Sequence, residues 1–153
     1  MKAVVQRVID ASVSVENKVS GSISSGVLVY LGVAQGDTEN DARYLADKIA
    51  DLRIFGDAQG KMNLSVKDCG GAVLAVSQFT LLGDARKGRR PYFGGAAEPA
   101  LAKMLYEYFM EQIRSHGLPC EAGVFQAHMK VSYTNDGPVT ILLDSRQQGG
   151  ATG

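Results

Sequence analysis

Ser77, Gln78, Phe79 and Thr80 follow directly on the apolar run Ala72 to Val76, so two hydroxyls, an amide and an aromatic ring stand at the exit of a buried strand. Such an ending has two explanations. Its Ser and Thr hydroxyls satisfy backbone groups left over where the strand stops, or they form the floor of a pocket. A hydroxyl there can act as a nucleophile only beside a base that takes its proton. The chain has two histidines, His116 and His128, and neither lies in a motif that would bring it to Ser77 or Thr80. A triad of Ser77 or Thr80 with His128 stays open, because triads assemble across distant segments. The GxSxG elbow, the phosphate-binding P-loop, HExxH and GxGxxG are all missing from the sequence.

A second unusual segment is Asn135-Asp136-Gly137-Pro138-Val139-Thr140, where a turn-like triplet leads through proline into an apolar strand. Taken alone it is an ordinary turn, since proline is tolerated at the first residue of a strand, where it need not donate to the ladder. Cys69 and Cys120 lie far apart and form no CxxC, so a structural zinc site is not expected and both cysteines read as buried, reduced thiols.

Helices and strands must hold these segments in place. Leu45, Ala46, Ile49 and Leu52 recur at helical spacing after Ala42, with Asp37 or Thr38 available as N-cap and Glu39 in the first turn. A second, longer helix starts near Pro99, buries a stripe of Leu101, Met104, Leu105, Tyr108, Phe109 and Ile113, and stops at Gly117. The rest reads as strands. Residues 1–9 form the first, Val13 and Val15 lead through Asn17 and Lys18 back to Val19 and Ile23, and Val27 to Ala34 is apolar on both faces like a central strand. Further strands are expected at 72–76, 123–125, 129–133 and 139–143, with loops at 56–60, 68–71 and 83–95. From Ser145 the chain turns polar and glycine-rich, and a disordered tail is expected over 145–153.

At 153 residues, 45% hydrophobic and 21% charged, the chain fits one domain with a core of its own. Sixteen basic residues balance sixteen acidic ones, which excludes a protein that coats nucleic acid by bulk charge and makes any such contact local. The loop 83–95 is the place for it, since Arg86, Lys87, Arg89 and Arg90 crowd there; they neutralise phosphates or are a solvated charge run. Gln6 and Arg7 interrupt the opening apolar residues, so no secretory signal is read, and the longest apolar run is far below the ~18 residues that span a bilayer. A cytoplasmic location is predicted.

Ser77-Gln78-Phe79-Thr80-Leu81 and Asn135 to Thr140 together resemble the paired signatures of the bacterial and eukaryotic D-aminoacyl-tRNA deacylases. The resemblance extends to Val5-Gln6-Arg7-Val8, Arg53-Ile54-Phe55, Gly60 to Asn63 and the Gly88 to Pro91 loop, and covers residues 1–144. It implies an α+β fold, a β-barrel-like sheet with two main helices in a single domain. It also implies hydrolysis of the ester between a D-amino acid and the terminal adenosine of tRNA, with Ser77, Gln78, Phe79 and Thr80 at the catalytic site. Partners are then the aminoacylated 3′ end of tRNA and a second copy of the chain, with active sites at the subunit interface; no DNA, membrane, metal or cofactor is implied.

In this family Gly137 and Pro138 would form a cis pair whose carbonyl oxygens enter the partner's pocket as a chiral selector, held by Arg7. D- and L-esters carry the same atoms, so discrimination needs an element that repels one of them. Glycyl esters would escape that repulsion and be cleaved as well. Phe125 and Met129 resemble the family's apolar pocket residues, and an ordinary strand core explains them almost as well. For the chemistry, either Thr80 is the nucleophile or the ribose 2′-OH assists while N–H groups around Phe79 and Thr80 bind the oxyanion; the second is favoured. Two other functions stay in view: a tRNA-end binding module without turnover, and a Ser/Thr esterase of small esters that uses His128.

Overall fold

The computed structural model describes residues 1–148. A long first strand, β1 (Lys2–Val15), organises the sheet: β8 (Lys130–Asp144) runs antiparallel along one edge, while β3 (Gly26–Gly32) and β2 (Lys18–Ile23) share the other. Beyond β3 come β6 (Ala72–Ser77) and β7 (Cys120–Ala122), both parallel to their neighbours. A small hairpin of β4 (Phe55–Gly56) and β5 (Met62–Leu64) stands apart. The sheet curls until β2 meets β7. Gly21 makes that closure possible, because a Cβ there would lie 2.5 Å from the carbonyl oxygen of Ala122. The result is the α+β, barrel-like architecture expected.

The apolar character of both faces of β3 and β6 follows from burial on both sides. Val27, Val29, Leu31, Val73 and Ala75 face the helices, and Leu28, Leu74 and Val76 join Val8, Ala11 and Val13 inside the curl. Helix α1 (Glu39–Asp51) starts at Thr38, whose N–H donates to the Asp41 carboxylate at 2.8 Å, and buries Ala42, Leu45, Ala46 and Ile49. Helix α2 (Pro99–Ser115) has its proline in the first turn and buries Leu105, Tyr106, Phe109, Met110 and Ile113; Gly117, at φ +78°, lies just beyond its end.

Several expectations are corrected. Met104, counted on the α2 stripe, is exposed because it lies beside the buried arc rather than on it. Strand β7 ends at Ala122, and residues 123–125 lead into a turn where Gln126 takes φ 65°. The two strands expected around Pro138 are one, because β1 is long enough to template both. Asp37 is not the cap. It is buried, accepts a bond from the Ala34 N–H at 2.7 Å and pairs with the Met1 ammonium at 2.8 Å. Disorder from Ser145 onward is also corrected in part. Ser145 is buried, accepts from the Met1 ammonium at 2.8 Å and opens a short 3-10 turn, Ser145–Gln147. The last five residues of the expected tail, 149–153, lie outside the described residues. Cys120 is buried as expected, whereas Cys69 is exposed because it sits in the turn before Gly70.

Candidate active site

Ser77 is the last residue of β6, and its backbone continues the sheet for one further bond, from Gln78 N–H to the Leu31 carbonyl at 2.8 Å. The chain then winds into a 3-10 turn, Phe79–Leu82, held by the Leu81 N–H to the Gln78 carbonyl at 3.3 Å and the Gly83 N–H to the Thr80 carbonyl at 3.0 Å. A turn of this kind leaves its first N–H groups without intrahelical acceptors. Among the described residues, those of Phe79 and Thr80 have no hydrogen-bond acceptor. The Thr80 side chain is exposed, and its Oγ1 accepts a bond from Gln78 Nε2. Phe79 is 56% exposed and meets Phe93 edge to face at 5.2 Å.

Ser77, Gln78 and Phe79 line a cavity of about 620 Å³, together with Phe125 and Met129 from the segment after β7 and Ala97 and Pro99 from the start of α2. Sequence alone does not join these three segments. Phe125 is steered by Tyr106, which stacks on it at 6.2 Å and donates its hydroxyl to the Ala75 carbonyl at 2.7 Å. Burial, first of all, pushes that hydroxyl well above the usual phenol range. Met129 reaches the cavity over Gly123, where a Cβ would lie 2.6 Å from the Met129 sulfur. His128 lines the same cavity, although the sequence offers no motif linking it to Ser77. Among the described residues no hydrogen bond connects His128 with Ser77 or Thr80, and no three His, Cys, Asp or Glu side chains gather as metal ligands. Gln126 and Ala96 are among the further lining residues that carry no sequence signal; only the folding together of remote segments reveals them.

Gly137 and Pro138 do not line this cavity. They project from β8 where its pairing with β1 jumps, Gln6 facing Thr140 while Val8 already faces Asn135. The peptide bond between them is cis, and both residues are exposed. The excursion is tied at its base. Asn135 Nδ2 donates to the carbonyls of Arg7 and Val139, each at 3.0 Å. Arg7 Nε donates to the Asp136 carbonyl at 3.2 Å and pairs with its carboxylate at 3.3 Å, while Nη1 donates to the Ile54 carbonyl at 2.7 Å. One side chain thus joins β1, the bulge and the segment leading into the small hairpin.

The four cations of the basic loop differ in their surroundings. Arg86 is held by Asp84, with Nε 2.9 Å from one carboxylate oxygen and Nη2 2.6 Å from the other, and this bond pulls the Asp84 carboxyl down to about 2. Lys87, Arg89 and Arg90 are exposed and, among the described residues, have no carboxylate partner.

A family model described as D-Tyr-tRNA(Tyr) deacylase matches residues 4–144. A D-aminoacyl-tRNA deacylase of Koribacter versatilis is 66% identical over 148 residues, covering 97% of this chain and 99% of the relative. Another, from Desulforamulus reducens, is 60% identical over 147 residues, covering 96% and 99%. Among solved structures, the c-Myc DNA Unwinding Element Binding Protein superposes with a TM-score of 0.88 at 42% identity, over 94% of this chain and 98% of that one. A "probable eukaryotic D-amino acid tRNA deacylase" superposes at 0.77 with 19% identity, over 93% and 97%, which speaks for the fold.

Proposed function

The chain belongs to the D-Tyr-tRNA(Tyr) deacylase family and is a hydrolase of the aminoacyl-tRNA ester; from that premise we propose that it proofreads chirality by removing D-amino acids from tRNA while sparing the L form. The observation that carries this reading is one cavity of about 620 Å³ in which the Ser77 to Phe79 strand exit meets Phe125 and Met129. Its size suits a small ligand bound mostly by apolar walls with a few polar groups. The terminal adenosine packs against Phe125 and Met129, and the ester carbonyl lies over the 3-10 turn.

In this scheme a water oxygen attacks the ester carbonyl, and the N–H groups of Phe79 and Thr80 bind the oxyanion that develops. Collapse breaks the bond to the ribose 3′-oxygen, and the proton that the attacking water gives up is relayed by the neighbouring 2′-OH to that leaving oxygen. Dependence on that hydroxyl makes the substrate RNA rather than DNA. Gly137 and Pro138 act in trans. Their exposure on one chain, away from that chain's own cavity, supports a homodimer in which each copy presents its carbonyls to the partner's pocket. Selection is then by exclusion, so Gly-tRNA is a side substrate. The enzyme works in the cytoplasm, where charged tRNA is, and needs no cofactor.

Purified protein incubated with D-Tyr-tRNA and L-Tyr-tRNA side by side tests the reading. Release of D-tyrosine with the L-ester intact is expected, and comparable cleavage of both would refute it.

A second reading is favoured by the place of His128 on the cavity wall, where it would serve Ser77 as base in a side-chain esterase. That enzyme would cleave small D-amino acid esters without tRNA and lose turnover in His128→Ala; retained activity of His128→Ala on D-Tyr-tRNA excludes it.

A further inference from the structure

Next to the cavity lies a second cleft of about 630 Å³, bounded by Lys2, Leu82, Gly83, Arg86, Tyr92 and Gly95 among others. The 3-10 turn Phe79–Leu82 divides the two, since Phe79 lines the cavity and Leu82 the cleft. Tyr92 stands out there at 72% exposure.

Its position is built rather than accidental. Tyr92 and Asp84 exchange both backbone hydrogen bonds, at 2.8 and 2.9 Å, closing a hairpin whose base is also fixed by the Asp84–Arg86 pair. A Cβ on Gly94 would lie 2.0 Å from the Tyr92 hydroxyl oxygen, so this end of the ring rests on bare backbone. The charges around it are uneven. Arg86 is neutralised by Asp84, while Lys2 across the cleft and Lys87, Arg89 and Arg90 on the loop have no carboxylate partner among the described residues. An aromatic ring with an open face beside unpaired cations is the means by which single-stranded nucleic acid is held, bases stacking while phosphates are neutralised.

We propose that Tyr92 is a stacking platform for an unpaired base preceding the terminal adenosine of the tRNA 3′ end, with Lys2 and the loop cations facing its phosphates. The inference rests on the deacylase reading, because it places the strand by the adenosine cavity. It adds a binding subsite and the residue that makes it.

The test has two readouts. A fluorescently labelled single-stranded RNA ending in the tRNA 3′ sequence is titrated with wild type, Tyr92→Ala and Tyr92→Phe. Stacking predicts binding weaker by about tenfold in Tyr92→Ala and close to wild type in Tyr92→Phe. Hydrolysis of D-Tyr-tRNA is then compared with that of D-tyrosyl-adenosine, which lacks the preceding nucleotides; Tyr92→Ala should raise KM for the tRNA about tenfold more than for the short ester. Equal binding by Tyr92→Ala, or equal losses on both substrates, overturns the proposal. So does sedimentation showing that Tyr92→Ala alters the assembly, which would make this face a contact between copies. Should wild type hydrolyse neither substrate while RNA binding still depends on Tyr92, the deacylase reading fails and the platform stands.

Discussion

Arg7 and Gly137 are fitted to one another: Arg7 Nη2 lies 3.0 Å from the position a Cβ on Gly137 would take, and Gly137 holds φ +123°. A side chain there meets both a backbone conformation that L-residues rarely adopt and the guanidinium that ties the bulge to Ile54. Gly137→Ala should therefore displace the Gly137–Pro138 excursion and lower turnover of D-Tyr-tRNA by about 10²-fold, the scale of a misplacement of about 1 Å at a site. Arg7→Ala should act in the same direction and more weakly, since Asn135 still clamps the base. Steady-state assays with D- and L-esters measure both losses.

Thr80→Ala removes an exposed hydroxyl and leaves the Phe79 and Thr80 N–H groups in place. If the chemistry belongs to the 2′-OH, the loss should stay within about 10²–10³, the scale of one oxyanion donor, rather than the ~10⁶ of a deleted nucleophile. A D-aminoacyl tRNA lacking the terminal 2′-OH should resist the wild-type enzyme. Normal turnover of that substrate with a dead Thr80→Ala would make Thr80 the nucleophile.

Asp84 already engages Arg86, so the test of phosphate contact by this loop is made on the other three cations. Combined replacement of Lys87, Arg89 and Arg90 by alanine should flatten the dependence of log affinity for tRNA on log salt by about 2, near 0.7 for each contact with a single strand. Anisotropy titrations across salt concentrations give the slope directly. An unchanged slope would return the loop to a solvated charge run.

Asp41 carries an acid dependence of stability. Burial alone would raise its pKa, but the Ser145 hydroxyl at 2.7 Å, the Thr38 N–H at 2.8 Å and the nearby Met1 ammonium outweigh it and hold the carboxyl below its ordinary value. A depressed folded-state pKa contributes stability that is present above the unfolded value of 3.8 and is lost as pH falls through the folded one. Asp41→Asn should lower the urea midpoint at pH 7 and show a smaller further drop at pH 3 than wild type does.

The two thiols should separate by reactivity. Burial, more than any neighbouring charge, pushes the Cys120 thiol up to about 11, while Cys69 is open to solvent. Titration with a thiol reagent at pH 8 should modify one cysteine in the native protein and both in denaturant, with mass mapping to Cys69 first.

Periodicity and end signals made much of the frame legible from the chain itself. The α1 and α2 spacings, Thr38 before the first helix, Pro99 opening the second and the two-sided apolar run of β3 each reflect local rules of backbone and burial. The motif pair made Ser77 to Thr80 and Asn135 to Thr140 stand out, because polar groups at a strand exit and a proline in a ladder need an explanation. Tertiary structure decided what those rules cannot reach. The bulge at Gly137 exists because β1 and β8 pair over unequal lengths, which is a property of two strands more than a hundred residues apart. The cavity exists because β6, the turn after β7 and the start of α2 close around one space, bringing in His128 and Gln126 without a local signal. Pairing of charges is likewise settled only in three dimensions. The sequence shows four equivalent cations between residues 86 and 90, whereas the hairpin places Asp84 against one of them and leaves three without a carboxylate partner among the described residues.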